Sequence, residues 1–184
     1  MTRIGVFGGT FYPVHVGHLA IANAALEELG LDRVYFVPAR RSPLKEHGPI
    51  ATAEDRLAML SAAIADEPRF RVSRAELERE GPSFTVDTLE ALRGEGELFL
   101  IVGSDAYADF ERWREPQRIR ELATVVLAAR PGVPNAPAGV RMLDSPLMDI
   151  SSRELRARAA RGKSLRYLVM EPTLRYIEEH RLYR

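Results

Sequence analysis

Two histidines three residues apart, His15 and His18, sit behind a glycine pair in the segment Gly8-Gly9-Thr10-Phe11-Tyr12-Pro13-Val14-His15-Val16-Gly17-His18. Glycines let a backbone come close to a ligand and present bare N–H groups to an anion. The segment is not a Walker A loop, because no Gly-Lys-Ser/Thr follows, and its glycine spacing is not that of the dinucleotide fingerprint. At the start of a helix, residues i and i+3 share a face, and the helix end adds partial positive charge and unpaired N–H donors. Two imidazoles and a helix start can therefore grip a triphosphate without a P-loop. A helix cap and half of a metal site are the two other uses of such a pair. No third His, Asp or Glu stands at a fitting ligand spacing, which leaves phosphate binding ahead.

The elements that must position this turn alternate between apolar runs and helical patterns. Arg3–Phe7 is a buried strand ending at Gly8-Gly9, and Gly17–Leu29 is a helix with Gly30 as its stop. Arg33–Val37 is a second strand, halted by Pro38 and followed by a polar loop, Ala39–Pro49. Thr52, with Asp55 three residues on, opens a helix through Ala65 by a capping-box arrangement. Phe70–Ser73 (strand), Ser83–Leu92 (helix), Leu98–Val102 (strand), Pro116–Leu122 (helix) and Thr124–Ala129 (strand) follow. A Pro/Gly-rich loop, Arg130–Gly139, leads to a weak strand near Val140–Leu143, and two helices, Ser151–Arg161 and Thr173–Arg181, close the chain.

The expected fold is α/β: a Rossmann-like, doubly wound parallel sheet with helices on both faces and C-terminal helices, one domain over residues 1–184. Ligands of such sheets lie outside the carboxyl ends of the strands. The first turn, Gly103-Ser104-Asp105 and Arg130-Pro131-Gly132 all fall there.

Composition narrows the classes. The 184 residues are 46% hydrophobic and 28% charged, enough for a packed core and inconsistent with disorder. Lys+Arg and Asp+Glu are both 26, so a partner held by bulk positive charge, nucleic acid or an anionic membrane, is not expected. The absence of cysteine excludes disulfides, thiolate nucleophiles and Cys-ligated metal sites. No signal-peptide or membrane-spanning run is legible, so the expected address is the cytoplasm. A homo-oligomer is left open.

GGTFYPVHVGH resembles the (H/T)xGH signature of the nucleotidyltransferase superfamily, and Ile150-Ser151-Ser152-Arg153-Glu154-Leu155-Arg156 resembles its second signature, ISSTxxR. The intermediate segments are similar to bacterial nicotinate-nucleotide adenylyltransferase. They are Val37-Pro38 with Ser42-Pro43-Leu44-Lys45, the block from Gly81 to Leu89, Gly103-Ser104-Asp105 with Phe110 and Trp113, Arg130-Pro131-Gly132, and the ending Tyr176-Ile177 to Tyr183. Tyr12, Leu44 and Arg153 depart from that family's usual residues.

The resemblance implies adenylyl transfer from ATP, with Mg²⁺, to the 5′-phosphate of nicotinic acid mononucleotide, giving deamido-NAD and pyrophosphate. Under it His15, His18, Lys45 and Arg156 are the catalytic set. Gly8, Gly9, Thr10, Phe11, His18, Gly103, Asp105, Arg130, Ile150, Ser151 and Ser152 hold ATP. Lys45, Thr85 and Trp113 receive the acceptor, and no residue is assigned to a protein-held metal. Nicotinamide mononucleotide or phosphopantetheine as acceptor, a non-catalytic nucleotide-binding protein, and a metal-dependent hydrolase are the rival readings.

Overall fold

Strand residues divide cleanly between two apolar layers, and that division shows how the sheet is wrapped. In the computed structural model, which describes residues 1–40, 51–129 and 139–184, the strand β4 (Glu97–Gly103) sends Leu98, Leu100 and Val102 into one core and Phe99 and Ile101 into the other. β1 (Arg3–Gly9) splits the same way, with Ile4 and Val6 on one face and Phe7 on the opposite one. Both faces are buried because side chains alternate along a strand and helices cover each side.

The first core receives α1 (Val16–Glu28), α2 (Ala53–Ala63), α7 (Ser152–Ala160) and α8 (Glu171–Glu179) through Leu26, Met59, Leu60, Leu155, Leu174 and Ile177. The second receives α4 (Thr85–Leu92) and α6 (Pro116–Leu122) through Val86, Leu89 and Ile119. The remaining strands are β2 (Arg33–Pro38), β3 (Phe70–Val72), β5 (Ala123–Ala128) and β6 (Arg141–Leu143). The six-stranded sheet has the order β3-β2-β1-β4-β5-β6 with every pair parallel. That is the doubly wound order, and its direction reverses between β1 and β4, where a crevice opens.

Several boundaries shift from the sequence expectation. β1 continues through Gly8 and Gly9, which stay in register with Val37 and Pro38. α2 stops at Ala63. α8 begins two residues early, at Glu171, because Pro172 is compatible with a first helical turn. Two short helices, α3 (Ala75–Glu78) and α5 (Ser104–Tyr107), and a 3-10 turn at Phe110–Arg112 were not anticipated. The Thr52–Asp55 capping box is present as read: the Asp55 amide donates to Thr52 Oγ1 at 3.1 Å and the Thr52 amide to Asp55 Oδ2 at 2.9 Å. Among the described residues no helix is long and apolar enough to cross a membrane.

Candidate active site

The chain leaves β1 in a turn whose carbonyls are taken up one after another. Gly9 O accepts from the Ala39 amide at 2.9 Å, Thr10 O from Arg56 Nη1 at 2.8 Å, Tyr12 O from Arg156 Nη1 at 2.7 Å, and Pro13 O from Ser152 Oγ at 2.9 Å. Phe11 adopts φ 47°, and the Tyr12–Pro13 bond is cis. Gly9 suits a close approach: a Cβ there would stand 3.0 Å from Cζ of the buried Phe11 ring, which would have to give by a few tenths of an ångström.

The two histidines meet where the turn enters α1. His15, buried, is the N-cap, and its amide donates to His18 Nδ1 at 3.2 Å. The two imidazoles stack with centroids 3.7 Å apart, and His18 also meets the Phe11 ring edge-on at 5.1 Å. An accepting Nδ1 puts the ring proton of neutral His18 on Nε2, which makes that atom a hydrogen-bond donor. Gly17 lies between them because a Cβ would come within 2.8 Å of Ile150 Cγ2 and 3.1 Å of His15 Nδ1.

That contact brings in the second helix start. Ser151 caps α7, its Oγ accepting from the Glu154 amide at 3.2 Å and donating to the Glu154 carboxylate at 2.8 Å. Arg156 lies with its guanidinium carbon 4.2 Å above the Tyr12 ring, whose neighbour edge-on is Tyr183 at 5.2 Å. Arg153 is exposed. His18 and Arg156, more than a hundred residues apart in sequence, therefore belong to one cluster around the turn. Two helix N-termini and a guanidinium in one place are groups of the kind that can receive an anion.

Beside this cluster a cleft of about 410 Å³ opens at the carboxyl ends of β1 and β4. Gly8, Gly9 and Thr10 form one wall, residues 100–103 its floor, and Ser83, Phe84, Thr85, Arg112, Trp113 and Arg114 the far side. Thr85 is the first residue of α4. Trp113 packs on Phe110 with centroids 5.1 Å apart, and its buried Nε1 has no hydrogen-bond partner among the described residues. Arg114 covers the Phe84 ring at 4.9 Å and approaches Asp87 at 3.9 Å. Glu76 is buried in the cleft wall and accepts from Thr88 Oγ1 at 2.8 Å. Burial pushes its carboxyl above the ordinary carboxylate range, against the opposing hydrogen bonds of Thr88 and Ser83.

The sequence-derived residues thus separate into two adjoining groups. Gly8, Gly9, Thr10, Thr85, Gly103 and Trp113 line the cleft. Phe11, His15, His18, Ile150, Ser151, Ser152 and Arg156 make the cluster, joined to the cleft through the turn. Asp105 lies exposed on α5 and is not among the lining residues. Lys45 and Arg130 lie outside the described residues. Sequence reasoning missed Arg56 and Glu76. Arg56 carries a signal, since it falls on the helical stripe of Met59, Leu60 and Ala63, an apolar face on which a cation stands out. Glu76 carries none, lying in a four-residue helix without periodicity. Among the described residues no group of three or more His, Asp or Glu side chains could hold a metal ion.

The sequence pattern of the cytidylyltransferase-like family matches residues 6–158. The chain is 51% identical over 187 residues to a Thermus thermophilus protein named "Probable nicotinate-nucleotide adenylyltransferase", covering 99% of this chain and 100% of that one. A Roseiflexus castenholzii protein of the same name is 46% identical, with 99% and 98% covered. Among solved structures, Plasmodium falciparum nicotinic acid mononucleotide adenylyltransferase complexed with NaAD has a similar fold, with TM-score 0.83 at 17% identity over 100% of this chain and 98% of that one.

Proposed function

The chain belongs to the cytidylyltransferase-like family and, within it, to the nicotinate-nucleotide adenylyltransferases; on that premise we propose that it transfers the adenylyl group of ATP to nicotinic acid mononucleotide, a step of NAD biosynthesis, with the turn-and-helix cluster holding the triphosphate and the cleft holding the acceptor. A phosphate oxygen of the mononucleotide attacks the α-phosphorus, the bond from the α-phosphorus to the bridging oxygen breaks, and pyrophosphate leaves with the electron pair. The acceptor's phosphate has a second pKa of about 6, so it is mostly dianionic at neutral pH and needs no general base. What the reaction needs is alignment of two polyanions and donors for the charge that moves to the leaving group.

In this reading Nε2 of His18 donates to a phosphate oxygen, with His15 orienting its ring through the main-chain bond to Nδ1. The helix starts at Val16 and Ser152 face the β- and γ-phosphates, with Arg156 one turn into the second helix. Lys45, outside the described residues, would add a movable positive charge. Trp113 would stack on the pyridine ring, and Thr85, at the start of α4, would present its hydroxyl and neighbouring amides to the pyridine carboxylate. Magnesium would accompany the triphosphate as its counter-ion and would supply charge neutralisation there, an ion that commonly binds through substrate phosphates and water. One domain over 1–184 and a cytoplasmic address belong to the same proposal.

The observation that carries the reading is the meeting of two distant helix starts on one glycine turn at the sheet's switch point, with an open cleft beside it. A pyrophosphate-release assay with ATP and a panel of acceptors tests it. Release should be fastest with nicotinic acid mononucleotide. A preference for nicotinamide mononucleotide or phosphopantetheine would overturn the substrate, and nucleotide binding without acceptor-dependent release would overturn the reaction.

A further inference from the structure

Arg56 is only 1% exposed, a cation enclosed by the core. Burying a charged group is costly unless hydrogen bonds replace its water, and here the replacement is incomplete. Nη1 donates to Thr10 O at 2.8 Å, while Nε has no partner among the described residues. A Leu or Met at this place on α2 would fill the stripe of Met59, Leu60 and Ala63 without that cost, so stability alone does not account for an arginine.

The bond from Nη1 lands on the turn. In a trans peptide the carbonyl and the following N–H point in opposite directions. Holding the Thr10 carbonyl toward α2 therefore turns the Phe11 amide the other way. The Ala39 amide, by holding the Gly9 carbonyl, does the same to the amide of Thr10. Gly9 and Thr10 lie where the turn joins the cleft to the helix-start cluster.

We propose that Arg56 is a positioning residue for the phosphate-binding turn: from inside the core it fixes the Thr10–Phe11 peptide so that the Phe11 main-chain amide is presented to the triphosphate. This rests on the functional reading above. The guanidinium does not touch the nucleotide; it acts through the Thr10 carbonyl, and its buried charge stands behind the turn. Arg56 leaves the acceptor wall, built from α4 and Trp113, untouched.

The test compares wild type with Arg56→Lys, which keeps the charge and loses the fork, and Arg56→Met, which loses both. Loss of the bond to Thr10 O should raise KM for ATP at least about tenfold in Arg56→Met, with a smaller rise in Arg56→Lys, while KM for the mononucleotide stays within about twofold. A role confined to stability would lower Tm and the active fraction, hence kcat, and leave both KM values unchanged. Calorimetry with inorganic tripolyphosphate gives a second readout that needs no turnover, with the same loss of affinity expected. Unchanged ATP KM and tripolyphosphate affinity in folded Arg56→Met would overturn the inference, as would failure of both variants to fold. If wild type releases no pyrophosphate with any acceptor, the functional reading fails instead, and the tripolyphosphate titration still decides the role of Arg56.

Discussion

The turn from Gly8 to His18 draws its partners from far along the chain, whereas the wall around Trp113 draws its own from close neighbours. Thr10 is held by a residue 46 positions away, Tyr12 by one 144 away and Pro13 by one 139 away. Trp113 leans on Phe110, Phe110 stacks on Tyr107, and Arg112 pairs with Asp109. The first region is fixed by its backbone, and two separate helices, α2 and α7, would have to move before the carbonyls of Thr10, Tyr12 and Pro13 could turn. The second is a set of side chains on short, locally stabilised segments. Binding of a constant group, a polyphosphate, suits the first plan, while choice among acceptors suits the second, where single side chains can change without disturbing the fold.

Breaking the turn side should give the largest effect. His18→Ala is expected to cut pyrophosphate release at least about 10²-fold while the thermal melt stays close to wild type. An unchanged rate would remove His18 from the chemistry. Trp113→Ala should be milder and one-sided: KM for the mononucleotide rises about tenfold, as expected for a lost aromatic stack, with KM for ATP unchanged. Equal movement of both constants would mean that the two regions are not separable.

The smallest effect concerns the wall's buried carboxyl. Glu76 has a raised pKa in the folded protein, so over the window above the ordinary glutamate range the native state binds more protons than the unfolded chain. Its contribution is complete at acid pH and is lost as the pH climbs through that window. Glu76→Gln cannot titrate, so its melting temperature should gain on wild type from acid to neutral pH, by a few degrees at most. A variant that instead loses ground to wild type over the same pH range would reverse the assigned direction. Thr88, Ser83, Arg79 and Asp87 are the groups that set this balance.

Much of the frame was legible because strands here are unbroken apolar runs and helices carry their own stops, as with Gly30 at φ 57° after α1. The meeting of the two helix starts was legible only through resemblance, since nothing in the spacing of His15 and Arg156 says that the fold brings them together. α5 and the turn at Phe110–Arg112 were invisible because elements of three or four residues are fixed by what packs on them. The pinning of turn carbonyls was equally hidden: hydrogen bonds between distant residues leave no periodicity. Arg56 was the exception, a charge standing where the helical repeat asks for an apolar residue.

The contact between Gly17 and Ile150 has an evolutionary consequence. A methyl added at position 17 collides with the branch methyl of residue 150, so changing the helix start of the first motif is tolerated only alongside a side chain at 150 that lacks that branch. The two signatures are therefore not independent inheritances. Across descendants of this chain position 17 should change only after position 150 has changed, whereas position 150 can vary while glycine is kept at 17.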